Sequence, residues 1–399
     1  MSASRRGGAG VAFAVANREE KTLTTQIVAV TRRKEMKLYR NIAIALLSLG
    51  WLLLAAPGKS QTINLEEEPA CRTLQPASAG GPLPKDPNVL VLRYFSYGNY
   101  EVAYRGKVLL LDAYYDTARS PYAVSVGLKE SDVTHADAIF VGHTHLDHYQ
   151  DAPAIAKRTG APVFLAPPGL DYVRSQGLPE NQIRVVRGGE TFKQNGYTVQ
   201  TALGIHMVVP AETSAAYNQF LQKSDSLSPE KKKEAEDWWK SMVSSVLRTE
   251  DPLDPDKDTI YHGTIVYVLT FDNGFRLVYS DTAGVLSGGE QVLADSIHAG
   301  GGKVDLAILG YLDTGFNLDT AIRKALTRSN VWKPSILLPS HFHDGDLTYP
   351  FPMLEMPTAP LFEALRDQQP DVRGISPLYR SPICVNTKTD EFFVGNYAR

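Results

Sequence analysis

Three histidines and one aspartate stand close together in the stretch His143–His148. They directly follow the apolar run 138–141, which has the character of a buried strand. In an extended or turning backbone, residues two apart project to the same side, so His143, His145 and Asp147 can converge on one point. Asp147 and His148 are adjacent, point in different directions and could serve two different centres. Imidazoles combined with carboxylates suit zinc, and sometimes iron or manganese. The cluster therefore predicts a metal site rather than a polar loop that happens to be rich in histidine.

Charge is distributed unevenly along the chain. Residues 1–60 carry ten Lys or Arg and three Asp or Glu, which leaves 31 basic and 41 acidic residues and a net charge of about −10 in the remainder. A domain that acidic is a poor electrostatic match for a phosphate backbone. The hydrophobic content of 43% is that of an ordinary globular protein. The acidic charge argues against a nucleic-acid partner, and we expect a small-molecule substrate instead.

The basic N-terminus has the pattern of a secretory signal peptide. Basic residues between 32 and 40 precede an apolar run, 42–56, which is followed by the small-residue stretch 57–60. The run is shorter than the roughly 20 residues needed to span a bilayer, although an uncleaved membrane anchor formed by residues 42–56 is the alternative. Met36 is the more usual start. We expect a secreted or periplasmic protein that meets membranes only through this segment or through a lipid-like substrate.

Behind this leader, the chain divides into an arm and one large domain. Residues 61–88 are rich in Pro, Gly, Ala and Ser without periodicity, which indicates a linker or a surface arm. Residues 89–399 are expected to form the folded domain. The strand rhythm breaks at 212–258, which we interpret as a helical insertion with a helix start at residues 228–230. Two cysteines, Cys71 and Cys384, could form a disulfide in an oxidising compartment or could both remain thiols.

Strands dominate the folded domain, and several of them are joined as hairpins. Hydrophobic patterns predict strands over residues 89–95, 101–104, 108–112, 136–141, 163–166, 183–186, 197–203, 264–271, 275–279, 304–309, 335–338, 383–386 and 391–394. They predict helices over residues 150–159, 169–176 and 319–327. Both halves contain hairpins followed by helices, which predicts an α/β fold of two packed mixed sheets with helices outside.

The stretch His143–His148 resembles the HxHxDH motif of the metallo-β-lactamase superfamily. Three later residues match further ligands of that family in chain order: His206 at the end of a strand, Asp281 after a hairpin and His341 after a buried strand. The resemblance covers roughly residues 89–395 and looks closest to the branch of ascorbate-6-phosphate lactonase and the N-acyl-phosphatidylethanolamine phospholipase. It implies an αββα sandwich of two mixed sheets with outer helices.

The resemblance also implies a two-metal site. One ion would be held by His143, His145 and His206, and the second by Asp147, His148 and His341, with Asp281 between them. Two Zn²⁺ ions are expected, and Mn²⁺ or Fe²⁺ are alternatives. Two ions that share a water make hydroxide available near neutral pH, and Asp147 would orient it and accept a proton. The family's bridging aspartate usually follows a glycine, whereas Asp281 follows Ser280. Asp112, at the end of the opening hairpin, is another feature of the same branch.

The expected activity is hydrolysis of a small ester, lactone or phosphodiester by a metal-bound hydroxide. A β-lactamase, a mononuclear iron enzyme of the persulfide dioxygenase type and a non-catalytic metal-binding protein are the alternatives. His343 lies two residues after His341 and could donate a proton to a leaving group. His262 precedes the strand that leads toward Asp281 and could line the cleft. A structural or surface role is the alternative for both, and nothing in the sequence identifies the substrate.

Overall fold

The computed structural model describes residues 63–117, 125–206, 228–233, 237, 263–312, 317–342 and 356–395. The strands are β1 (Val89–Ser96), β2 (Asn99–Tyr104), β3 (Lys107–Leu111), β4 (Ala138–Phe140), β5 (Val163–Leu165), β6 (Ile183–Val185), β7 (Thr191–Gln194), β8 (Tyr197–Leu203), β9 (Ile265–Phe271), β10 (Arg276–Ser280), β11 (Val304–Gly310), β12 (Pro334–Ser340), β13 (Arg373–Gly374), β14 (Ile383–Asn386) and β15 (Phe392–Val394). The helices are α1 (Leu146–Tyr149), α2 (Ala152–Thr159), α3 (Leu170–Ser175), α4 (Gly288–Ala299), α5 (Leu318–Trp332) and α6 (Thr358–Gln368).

The described strands form two mixed sheets. The first has the order β15-β14-β1-β2-β3-β4-β5-β6, and the second has the order β13-β12-β11-β10-β9-β8-β7. In the first sheet, β14, β1, β2 and β3 pair antiparallel, whereas β3 to β6 run parallel. In the second, β10 to β13 run parallel and β7 to β10 pair antiparallel. The prediction of two mixed sheets is confirmed.

The sheets pack face to face, with helices on their outer faces. Side chains of β1 alternate accordingly: Leu90 and Leu92 join the core shared with the second sheet, whereas Val89 and Val91 join a core that includes residues of α2 and α3. Helices α4, α5 and α6 contribute to the core around the second sheet. Both strand faces are therefore buried, which explains the nearly continuous apolar runs of the central strands. The expected αββα sandwich is the observed fold.

Two helices beside the second sheet, α4 and α6, and two of its strands, β7 and the two-residue β13, were not predicted from the sequence. Helix α4 begins with two glycines, which hide its pattern, but Ser287 Oγ accepts a hydrogen bond from the Glu290 N–H (3.0 Å). A serine three residues before a glutamate is the signature of a helix N-terminus. Helix α6 and strand β7 were also missed. The short β7 alternates exposed and half-buried residues because it is the edge of the sheet.

Residues 63–88 lie on the outer face of the first sheet and contain three short 3₁₀ turns, Leu65–Glu67, Pro69–Arg72 and Ala77–Ala79. Cys71 is fully buried and forms a disulfide with Cys384 of β14, with a Cα–Cα distance of 6.0 Å. A buried ion pair between Arg93 and Glu101 (3.3 Å) lies beneath the same segment, and Glu101 accepts backbone N–H bonds from the third turn. The segment is therefore fastened covalently and by buried polar contacts.

Most of the predicted insertion 212–258 lies outside the described residues, as do residues 1–60. The helix start is confirmed, since residues 229–233 are helical and Ser228 Oγ accepts from the Lys231 N–H (3.4 Å). Among the described helices, none combines the length and apolar character that crossing a membrane requires.

Candidate metal centre

The ends of four strands deliver the polar side chains that meet between the sheets. The stretch His143–His148 follows β4 in the first sheet, whereas His206, Asp281 and His341 follow β8, β10 and β12 in the second. Strands β8, β10 and β12 run in one direction, so their carboxyl ends lie at one edge of the sheet. Seven side chains meet there: those of His143, His145, Asp147, His148, His206 and Asp281 are buried, and that of His341 is partly buried. The seven that the sequence predicted are thus brought together.

Three imidazole nitrogens form the first group. His143 Nε2 lies 3.1 Å from His145 Nδ1 and 3.2 Å from His206 Nε2. Three nitrogens that bind one tetrahedral zinc at 2.0–2.1 Å are separated from one another by about 3.3 Å. The three nitrogens therefore already have nearly the spacing of a zinc-binding face.

Asp147, His148 and His341 form a second group of converging ligand atoms. Asp147 Oδ2 lies 3.6 Å from His148 Nε2. Within the described part of the chain, Asp147 Oδ1, His148 Nε2 and His341 Nδ1 are buried and have no hydrogen-bond partner. Buried polar atoms are nearly always satisfied, so three unsatisfied atoms in one converging group are the donors expected of a metal-binding site. Nitrogen and carboxylate donors of this kind fit a divalent transition metal.

Asp281 connects the two groups. Its Oδ2 atom lies 2.6 Å from His143 Nδ1 and 2.8 Å from His148 Nδ1, while Oδ1 has no partner among the described residues. Gly142 makes this approach feasible, because a Cβ there would lie only 2.3 Å from Asp281 Cγ. Gly98 lies on another side, where a Cβ would come within 2.7 Å of Asp281 Cβ. Two glycines therefore leave the space in which this carboxylate sits.

A further carboxylate, Asp112, orients His148 from behind. Its Oδ2 atom contacts His148 Nδ1 at 2.5 Å, and its Oδ1 atom accepts the Gly142 N–H at 2.8 Å. Asp112 has a left-handed backbone (φ 60°) directly after β3, which directs its side chain into the site. A carboxylate on the second ring nitrogen fixes the tautomer and orientation of a ligating histidine. From the sequence, Asp112 was expected only as a feature of the similar branch, without a role in the site.

His341 is held in an unusual backbone conformation. Its φ is 48°, and its N–H donates to the Tyr97 carbonyl at 2.7 Å. The Tyr97 ring meets the His341 ring edge-on, with centroids 5.2 Å apart, and it meets the His148 ring at 6.1 Å. Strained backbones cluster at functional sites, where the surrounding contacts hold them in place. Tyr97, itself left-handed (φ 47°), was not predicted to have this role.

Burial and mutual charge shift the pKa values of these groups strongly. Burial lowers the pKa of His148, but Asp147, Asp112 and Asp281 outweigh it and hold that pKa well above its ordinary value. Burial raises the pKa of Asp281, but His143 and His148 more than offset it and leave the pKa well below the usual range. Burial and the neighbouring His148 lower the pKa of His341 to about 3. The three carboxylates around His148 thus favour a positive charge beside them, which also suits a bound cation.

Two predicted residues, His262 and His343, lie outside the described residues, so their catalytic roles stay predictions. Ser280 stands where the family usually has a glycine before the bridging aspartate. Its hydroxyl is buried and has no hydrogen-bond partner within the described residues. The residue nevertheless continues β10 and delivers Asp281 directly at the strand end.

Comparison with known proteins supports this picture. The family model of the β-lactamase superfamily domain matches residues 107–228, which contain the first five clustered residues but end before Asp281 and His341. The similarity to that superfamily domain is therefore confined to residues 107–228 of this chain. Two curated metal-dependent hydrolases are similar to it over 70 residues, one from Myxococcus xanthus (34% identity) and one from Rubrobacter xylanophilus (39% identity).

These similarities to the superfamily domain are local. Each curated relative is matched over 18% of this chain, and the matches span 24% and 28% of the relatives' own lengths. A metallo hydrolase from the archaeon Ignicoccus hospitalis shares 14% identity with a TM-score of 0.49, covering 74% of this chain and 98% of that one. The narrower resemblance to the lactonase and phospholipase branch stays a prediction.

Proposed function

We propose that this protein is a hydrolase that uses two divalent metal ions, with Zn²⁺ as the preferred metal. The observation that carries the proposal is the pair of buried ligand groups joined by Asp281, one of three histidines and one of Asp147, His148 and His341. A site for one ion would not need both groups. When bound, two such ions lower the pKa of a shared water and polarise the oxygen of the bond under attack.

The chain's own residues would then divide the remaining work. Asp147 is the most exposed carboxylate of the cluster, with 11% of its side chain accessible, and lies at the start of α1. It can therefore reach the substrate side, orient the attacking water and receive its proton. Asp112 would hold His148 in one orientation, and Tyr97 would cover the rings of His148 and His341. These contacts would fix the site before the substrate arrives.

The proposed substrate is a small ester, lactone or phosphodiester. The acidic charge of residues 61–399, a net of about −10, makes a nucleic-acid substrate unfavourable because it repels phosphate backbones. The alternatives are a β-lactamase, a mononuclear iron enzyme of the persulfide dioxygenase type and a non-catalytic metal-binding protein, and each predicts a different outcome of the following test.

The test is a substrate panel of lactones, phosphodiesters, phospholipids and β-lactams, run with metal-depleted protein and with the same protein supplied with Zn²⁺, Mn²⁺ or Fe²⁺. We expect at least one of the first three classes to be hydrolysed only after metal addition. The variant Asp147→Asn should lose more than about 100-fold in turnover, beyond the range typical of residues that act only through a ligand.

An exposed aspartate on α3, Asp171, offers the matched control. Asp171→Asn should keep full turnover. Hydrolysis that needs no metal, or Asp147→Asn with full turnover, would contradict the proposed function. Turnover of β-lactams alone would replace the substrate class while keeping the metal centre.

We also propose export with removal of the segment 1–60. The buried disulfide between Cys71 and Cys384 supports an oxidising compartment, since cytosolic thiols are kept reduced. N-terminal sequencing of the protein from its native host should give a start shortly after residue 56. An intact start at Met1 or Met36 would contradict cleavage and favour an anchor.

A further inference from the structure

A buried polar network contacts the residue that follows Asp281 in the chain. Arg328 of α5 forms an ion pair with Glu290 of α4, with Nε 3.0 Å from Oε1. The same Glu290 oxygen accepts the indole N–H of Trp332 at 2.6 Å. The two charged side chains are only 3% and 1% exposed, and Trp332 is fully buried. The network is thus enclosed between two helices.

The network contacts the chain next to the bridging carboxylate. An Arg328 terminal N–H donates to the Thr282 carbonyl at 2.9 Å, one residue after Asp281. Thr282 is 2% exposed, so this carbonyl lies in a place where water cannot easily replace the guanidinium. Losing a hydrogen bond to a buried carbonyl is unfavourable, because water does not restore it. The contact therefore constrains the turn that follows β10.

Two glycines confine the same turn from other sides. A Cβ at Gly310 of β11 would lie 2.2 Å from the Thr282 carbonyl carbon. A Cβ at Gly284 would lie 1.7 Å from the Ile205 carbonyl oxygen, next to His206. The segment 281–284 thus packs against the residues that lead to a histidine of the first group. Displacing it would shift Asp281 relative to His206.

Stability alone is a weak reason for such a pair. Replacing a buried ion pair with apolar side chains is often neutral or stabilising, because desolvating two charges is costly. The pair does fix an orientation: Glu290 orients the Arg328 guanidinium, which in turn donates to the Thr282 carbonyl. We propose that Arg328 is a positioning residue that fixes Asp281 between the two metal ions. This inference rests on the proposed two-metal function.

The test measures Zn²⁺ affinity by competition with a chromophoric chelator, using folded, metal-depleted protein. In Arg328→Met, the dissociation constant of the more weakly bound Zn²⁺ ion should rise about 10–100-fold. This is the range found for groups that orient metal ligands. In the metal-loaded variant, kcat should fall with KM little changed, because Asp281 would hold the ions rather than the substrate. Arg328→Lys, which keeps the charge beside Glu290, should recover part of the affinity.

The matched control is Arg323 on the same helix, which is exposed and contacts Thr320 Oγ1 at 3.0 Å. Arg323→Met should bind both ions as the unchanged protein does. If Arg328→Met folds and binds two ions with unchanged affinity, or if neither Arg328 variant folds, the inference is overturned and the network is structural. If the unchanged protein itself binds fewer than two ions, the proposed function fails instead.

Discussion

The first sheet supplies four of the clustered side chains from one short stretch, His143–His148, whereas the second supplies three from three separate strand ends. In the first sheet, the backbone loop and α1 set the spacing locally, and Asp112 adds one orienting contact. In the second, His206, Asp281 and His341 are far apart in sequence, and each depends on tertiary contacts. The ligands from the first sheet are therefore placed by local sequence, whereas those from the second sheet are placed by packing.

Removing the Asp281 charge should have the largest effect, because this side chain contacts a histidine of both groups. In Asp281→Asn, we expect one of the two ions to be lost and turnover to fall by more than about 100-fold, beyond the range for residues that only orient ligands. Elemental analysis and steady-state kinetics measure the two effects. Asp305→Asn is the control, since Asp305 is a buried aspartate at the start of β11 that accepts the Arg276 N–H. Equal metal content in both variants would contradict the role of Asp281.

Asp112→Asn should have a smaller effect, because Asp112 acts through His148. We expect metal affinity to fall about 10–100-fold, as for other carboxylates that orient ligating histidines. Chelator competition measures the affinity. Asp137 directly precedes β4 and accepts the N–H of Val108, at the start of β3, at 2.8 Å. Asp137→Asn is therefore the control. If Asp112→Asn weakened binding as much as Asp281→Asn, the proposed difference between the two halves would be wrong.

Asp151 should affect stability rather than metal binding. Burial raises its pKa to about 7, against the Tyr115 N–H bond that lowers it. Between pH 4 and pH 7 the unfolded chain releases this proton while the folded chain keeps it, so the free energy of unfolding should fall as pH rises. The loss is about 1.4 kcal/mol per unit of pKa shift. In Asp151→Asn, this loss should disappear, as measured by urea unfolding at pH 4, 5, 6 and 7. Parallel pH curves for both proteins would contradict the shifted pKa.

The contrast between the two halves also explains what the sequence could predict. The stretch His143–His148 is recognisable because its spacing is local, and the strand ends before His206, Asp281 and His341 are marked by apolar runs. Most strands, and with them both mixed sheets, follow from the same hydrophobic patterns, whereas the edge strand β7 and the two-residue β13 do not. The spacing of Asp147 and His148 suggested two centres. The structure has two groups of ligand atoms, and Asp281 contacts one histidine of each.

The supporting contacts could not be predicted, because they join distant parts of the chain. Arg328 reaches Thr282 across 46 positions, and His341 is oriented by the carbonyl of Tyr97. Nothing in the local sequence around Arg328 distinguishes it from a solvated helix residue. Helix α4 was missed because Gly288 and Gly289 weaken its pattern, although Ser287 and Glu290 mark its start. The pairing of Cys71 with Cys384 was left open, and only the packing of the arm on β14 decides it.

The central claim is that one centre holds two metal ions, and counting the ions tests it most directly. Metal-depleted protein should be titrated with Zn²⁺, freed of excess metal and analysed for zinc per chain. We expect two zinc ions per chain in the unchanged protein and only one in Asp281→Asn. A single tightly held ion in the unchanged protein, with the Asp147, His148 and His341 group left without metal, would contradict it.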